Sequence, residues 1–191
     1  MRIIAGRFRG RTIRAPKGSR TRPTTDRVRE AWFGVLGDLE GARVLELYAG
    51  SGALGIEALS RGAASLVAVE AWPIAARCIE SNLEQLGIAP LATVITARAE
   101  KLASRLSELG PFDLMLADPP WTDIDRAERT LERLLGGKLL SPEGRAMIGH
   151  PKGRPVTLTT ENGLHRIDQR AWGDSGASLF EIARDQRVRS L

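Results

Sequence analysis

Apolar residues return at helical spacing in Val28, Trp32, Val35 and Leu36, and Thr24 or Thr25 stands where a capping hydroxyl would open that helix. Gly37 and Gly41 bracket its exit. From there two kinds of segment alternate. Short apolar runs at 43–48, 65–70, 92–97 and 113–117 read as buried strands, and stretches of helical period follow them at 53–61, 74–86, 100–109 and 125–135. Four strand–helix units in series predict an α/β fold with a parallel sheet covered on both faces. Beyond Gly136, strand-like runs at 146–150, 164–171 and 177–182 have no long helix after the second, so the sheet is expected to end in an antiparallel pair. The one candidate boundary is the loop 17–23, which divides a basic hairpin or arm, 1–22, from the main domain, 23–191.

Composition adds exclusions. A chain of 191 residues, 42% apolar and 27% charged, has the size and balance of one globular domain. Its longest apolar runs, such as 66–69, are far too short to cross a bilayer. Cys78 is the one cysteine, and His150 and His165 have no spaced cysteines to complete a zinc site. No membrane, no metal and a cytoplasmic monomer are the expectations, since the Arg-rich amino terminus lacks the apolar core of a secretion signal. Cys78 and Trp32 read as core, and Asp123 and Asp125 as caps of the helix they precede.

Charge changes the picture more. The net charge is +5, but residues 1–30 hold 10 of the 28 basic residues against Asp26 and Glu30 alone, and the rest of the chain is slightly acidic. Such a block seeks polyanions. It reads as two short β-compatible runs around glycines, where alternation would set Arg7, Arg9 and Arg11 on one face and Phe8 on the other, followed by a loop carrying Lys17, Arg20 and Arg22. Arginines for phosphates and an aromatic for unpaired bases predict a nucleic-acid partner. A solvated arm is the plainer alternative.

Gly50-Ser51-Gly52-Ala53-Leu54-Gly55 fits G-x-G-x-x-G between a strand and a helix, and Glu70 ends the next strand, where it can accept from two ribose hydroxyls. A nucleotide-like cofactor follows. Glu46, beside this loop, would repel the pyrophosphate of a dinucleotide and attract the sulfonium and ammonium of S-adenosylmethionine. The plain alternative is that Glu46 points away and the glycines only pack helix on strand.

Asp118-Pro119-Pro120-Trp121 follows the fourth strand, at the edge where open α/β sheets bind ligands. An exocyclic base amine is a poor nucleophile because its lone pair is delocalised into the ring, so acceptors must hold its N–H groups as the new bond forms. Asp118 and the Pro119 carbonyl supply them, the prolines fix the turn, and Trp121 offers a face for an extruded base. Alone, the motif would more simply be a Pro-Pro turn with a half-buried tryptophan. Trp72 stands near enough to Glu70 to pack on an adenine or to serve as a surface residue.

At these residues the chain resembles the bacterial small-subunit ribosomal RNA guanine-N2 methyltransferases of the RsmD type. The resemblance runs nearly full length and rests on 1–11, on Thr21-Arg22-Pro23-Thr24-Thr25-Asp26-Arg27-Val28-Arg29-Glu30-Ala31, on 44–63 and on Asp118-Pro119-Pro120. It implies a Rossmann-like class I S-adenosylmethionine-dependent methyltransferase, a seven-stranded sheet with a small N-terminal β-hairpin extension. The implied substrate is one guanine N2 of 16S rRNA, in the small subunit or a late assembly intermediate. Carried over by motif, Gly50, Ser51 and Gly52 would line the methionine part of the donor and Glu70 its ribose, with Glu46, Tyr48, Ala71 and Asp118 also among the cofactor-binding residues. Arg98 and Ala99 would stand near its adenine, and Thr24, Thr25 and Arg29 would close the cofactor side. Asp118, Pro119, Pro120 and Trp121 would form the catalytic turn, and Arg7, Arg9, Arg11, Lys17, Arg20 and Arg22 would meet RNA. Two positions depart from the family pattern: Arg98 replaces a small or acidic residue, and Trp121 replaces a tyrosine or phenylalanine. The segment Arg170-Ala171-Trp172-Gly173 matches loosely and carries no site. Adenine-N6 methylation is the nearest rival reading. A nicotinamide-dependent oxidoreductase and a noncatalytic RNA-binding protein are the others.

Overall fold

The computed structural model describes residues 1–16, 18, 25–161 and 163–182. Lys17, Arg20, Arg22 and Thr24, assigned above to RNA or cofactor contact, lie outside the described residues, as do residues 183–191.

α1 (Asp26–Leu36) forms as its apolar spacing predicts: Thr25 Oγ1 accepts the Val28 N–H at 3.4 Å, and Val28, Trp32, Phe33 and Leu36 are buried. β1 (Arg43–Leu47), α2 (Ala53–Ser60), β2 (Ser65–Glu70), α3 (Pro73–Leu86), β3 (Ala92–Thr96), α4 (Ala103–Leu109), β4 (Phe112–Ala117) and α5 (Ile124–Leu135) alternate after it. β5 (Leu140–Pro151), β6 (Leu164–Trp172) and β7 (Ser175–Ile182) complete one seven-stranded sheet of order β3-β2-β1-β4-β5-β7-β6. β1 to β5 are parallel, and β7 is antiparallel to both neighbours, as the missing final helix implied. The strand order reverses between β1 and β4, which opens a crevice beyond their carboxyl ends.

Side-chain alternation splits the core in two. Val44, Leu66, Leu114 and Met147 face α1, α2 and α3, while Leu45, Leu47, Met115 and Ile148 face α4 and α5. Glu46 and Asp118 therefore emerge on the α1–α3 side.

Three expectations are corrected. The hairpin pairs through Ile3 N–H to Arg11 O at 3.0 Å, Gly10 N–H to Ile3 O at 2.8 Å, Ile13 N–H to Met1 O at 3.0 Å and a single bridge between Arg2 and Thr12, without forming two strands. Residues 7–10 form a turn with Gly6 and Gly10 at φ 78° and 83°, so period-two alternation does not apply to the arginines. Instead, the Arg7 and Arg11 guanidiniums lie 5.3 and 5.9 Å from the centroid of a buried Phe8 ring. The helix expected over 100–109 breaks into a 3-10 turn, Ala99–Lys101, and α4. Both geometries set residues three apart on one side, so apolar spacing does not separate them. Cys78 is half-buried, its Sγ 3.3 Å from Arg14 O, rather than in the core.

The hairpin is docked on the domain. Ile3, Phe8 and Ile13 belong to the α1–α3 core. The fully buried Glu57 carboxylate of α2 accepts the Ile4 and Ala5 N–H groups at 2.8 and 3.0 Å, and Ser60 Oγ accepts that of Phe8 at 3.0 Å.

Candidate active site

The crevice between β1 and β4 holds a cavity of about 490 Å³, the scale of a small-molecule site. Glu46, Tyr48, Gly50 and Ser51 line it from the end of β1, and Glu70, Ala71 and Trp72 from the end of β2. Arg98, Ala99 and Glu100 come from beyond β3, and Asp118 and Pro120 from beyond β4. Four elements thus converge on one space.

Gly50 N–H donates to Glu70 Oε2 at 2.7 Å and Trp72 N–H to Oε1 at 2.8 Å, so Glu70 ties the glycine loop to the β2–α3 turn. A carboxylate has about four lone-pair directions, which leaves acceptor capacity for a ligand. Gly52 caps α2 in the left-handed region, φ 74°, behind the lining rather than in it. Tyr48 also holds a positive φ, 58°, a conformation that costs a non-glycine residue on the order of 1–3 kcal/mol. Burial, ahead of the nearby Glu100 charge, pushes its phenol up to about 12, so it stays a neutral donor.

Glu46 points into the site. It is 2% exposed and accepts the Gly55 N–H at 3.1 Å. A Cβ on Gly55 would fall 2.6 Å from Glu46 Oε2, so the third glycine of the motif makes room for a carboxyl group. Burial first, and then the Glu70 and Asp118 charges, raise its pKa to about 8 against the pull of the Gly55 and Leu54 amides. Five carboxyl groups therefore line the cavity, those of Glu46, Glu70, Glu100, Asp118 and Asp123, against the guanidiniums of Arg98 and Arg126. A pyrophosphate would meet like charge there, whereas a sulfonium or ammonium would meet opposite charge and draw the Glu46 proton away. These residues fit S-adenosylmethionine.

Asp118 stands at the mouth on the α1 side. A Cβ on Gly149 of β5 would lie 2.4 Å from Asp118 Oδ1 and 3.1 Å from Trp32 Cζ2, so a glycine there lets the carboxylate seat between β5 and α1. Pro119 is buried behind the cavity wall. Trp121 opens a 3-10 turn, Trp121–Asp123, outside the lining and is 37% exposed.

Other expected contacts are not brought to the cavity. Thr25 caps α1 and lies outside the lining. Arg29, fully buried, gives its Nη2 to Arg2 O at 2.6 Å and Asp26 Oδ1 at 2.8 Å, and so joins α1 to the hairpin. Asp123 occupies the N-cap position of α5 without a side-chain cap bond, and Asp125 lies in its first turn. Asp123 pairs with Arg126, and Asp125 with Glu128 holds Arg154. Asp123, Glu100 and Arg126 line the cavity and were missed, because an ion pair between the polar face of one helix and a turn about 25 residues earlier leaves no local pattern. Met1, Ala15 and Pro16, both ends of the hairpin, also line it.

A protein-family comparison decides the lineage. The family model described as "Conserved hypothetical protein 95" matches residues 1–181. The chain belongs to this family. The match takes in the hairpin, the glycine loop and the Asp118 turn, so the whole cavity lies inside it. YlbH of Bacillus subtilis is 41% identical over 95% of this chain and 98% of its own length. "Ribosomal RNA small subunit methyltransferase D" of Haemophilus influenzae is 32% identical over 85% of this chain and 84% of its own. The solved structure of yhhF from Escherichia coli superimposes with a TM-score of 0.80 at 32% identity, over 95% of this chain and 97% of that one. The family's fold is the class I methyltransferase fold.

Proposed function

We propose that the chain methylates the exocyclic N2 amine of one guanine in small-subunit rRNA, presented by the subunit or a late assembly particle in the cytoplasm. The coarser statement, an rRNA methyltransferase with S-adenosylmethionine as donor, stands on the family and its relatives. One observation supports the finer reading: Asp118 and Pro120 line a cavity with Glu46 and Glu70, and Trp121, next in sequence, is 37% exposed.

Bound S-adenosylmethionine supplies a methyl group made electrophilic by its sulfonium. Glu46, Glu70 and the Ser51 region hold that donor. Asp118, an acceptor-only carboxylate, takes the N1–H and N2–H of guanine side by side, and the Pro119 carbonyl takes the second N2 hydrogen. Both orient the amine lone pair along the line of transfer. Trp121 stacks the extruded base, a contact of roughly 1–3 kcal/mol. Arg7, Arg9 and Arg11 at the hairpin turn meet phosphates, and residues 1–22 act as the docking element of the domain 23–191.

Transfer of labelled methyl to small subunits lacking the modification, followed by nucleoside analysis, tests the reading. N2-methylguanosine at one position is expected. N6-methyladenosine would replace the base and keep the chemistry, and absence of transfer to subunits and free rRNA would overturn the reading.

A further inference from the structure

Asn82 of α3 is fully buried, and its amide joins two segments far from it in sequence. Its Oδ1 accepts the Arg14 N–H at 2.8 Å, while its Nδ2 donates to Arg14 O at 3.0 Å and to Ser51 O at 3.2 Å. The surroundings fix the amide orientation, because a flipped group would set N–H against N–H and oxygen against two carbonyls. Arg14 is where the hairpin leaves its paired region, Ala15 and Pro16 next to it line the cavity, and Ser51 is the centre of the glycine loop. One side chain thus sets the distance between the hairpin wall and the donor loop.

We propose that Asn82 is a positioning residue that makes donor binding and RNA docking reinforce one another. The inference rests on the reading of the hairpin as the RNA-docking element. RNA held by the hairpin turn restricts the hairpin, and through Arg14 and Asn82 it holds Ser51, Ala15 and Pro16 in the donor-binding arrangement. By linkage, donor in the cavity must tighten RNA by the same factor. The hairpin side is braced separately by Glu57 and Ser60, so Asn82 carries the link to the loop rather than the docking itself.

The test is equilibrium binding of labelled S-adenosylhomocysteine, which cannot react, with and without saturating small subunits that lack the modification. In the unaltered chain, subunits should tighten binding about five-fold or more. Asn82→Asp keeps an acceptor for Arg14 N–H and loses both donors, so this ratio should fall to near one while subunit affinity without ligand is retained. A purely structural defect would weaken binding equally in both conditions and leave the ratio intact. If Asn82→Asp does not fold, the Arg14 pair decides: Arg14→Pro, without the N–H, should lose the ratio, and Arg14→Gln should keep it. A ratio near one in the unaltered chain, or a ratio that survives both Asn82→Asp and Arg14→Pro, overturns the proposal. Subunit binding unchanged by joint replacement of Arg7, Arg9 and Arg11 with glutamine would instead overturn the docking reading, and this inference with it.

Discussion

On the function proposed above, Glu46 serves the donor and Asp118 the target amine, and each has a glycine that makes its position possible. Folded and without donor, Glu46 keeps its proton to about pH 8, whereas the unfolded chain releases it near 4.5. Its share of stability is therefore present below about 4.5 and lost as pH rises through 8. The melting temperature of the donor-free protein should fall across that window, and Glu46→Gln should flatten the fall. A cationic donor favours the charged carboxylate, so donor affinity should rise with pH toward 8, with proton release visible as buffer-dependent calorimetric heat. Glu46→Gln should bind more weakly and lose this dependence. Asp118→Ala should keep donor affinity and lose turnover by roughly a hundred-fold or more, the scale of removing a preorganised hydrogen-bonding group. Gly149→Ala should do the same in milder form, because its Cβ would displace Asp118 Oδ1 from 2.4 Å. Single-turnover rates beside donor titrations separate these effects.

At the scale of elements, the strands and helices of the sheet were legible because each buries a periodic face: the run 65–70 became β2 residue for residue. The glycine loop and Asp118 turn were legible because they sit at strand ends, where the topology brings them together. The hairpin was legible in charge and not in geometry. Arg7, Phe8 and Arg11 look like an alternating strand, yet a turn between two positive-φ glycines folds both guanidiniums over one ring. Replacing Arg7 and Arg9 with glutamine should weaken subunit binding and make its salt dependence shallower by about 0.7–0.9 per lost phosphate contact, with donor affinity in the absence of RNA unchanged. Filter binding over a salt series reads the slope. The cavity role of Glu100, Asp123 and Arg126 was illegible because it depends on α5 lying beside the turn after β3.

For the whole molecule, the donor would fill a cavity whose walls come from the hairpin, four strand ends and α5. Donor at about a hundred times its Kd should add about 2.7 kcal/mol and raise the melting temperature by roughly 5–10 °C in a chain of this size. No helix among the described residues is long and apolar enough to cross a membrane. The anchors of the hairpin have a further consequence for the order in which the chain assembles. Ile4 finds Glu57 53 residues later, Arg14 finds Asn82 68 later and Arg11 finds the Gln85 carbonyl 74 later. The hairpin, which precedes α2 and α3 in the chain, therefore has no seat until both exist, and one wall of the donor cavity closes late. In native-state hydrogen exchange, the Ile4, Ala5 and Arg14 amides should open whenever α2 and α3 do, and also by themselves, at lower free energy than the amides of β1 and β4.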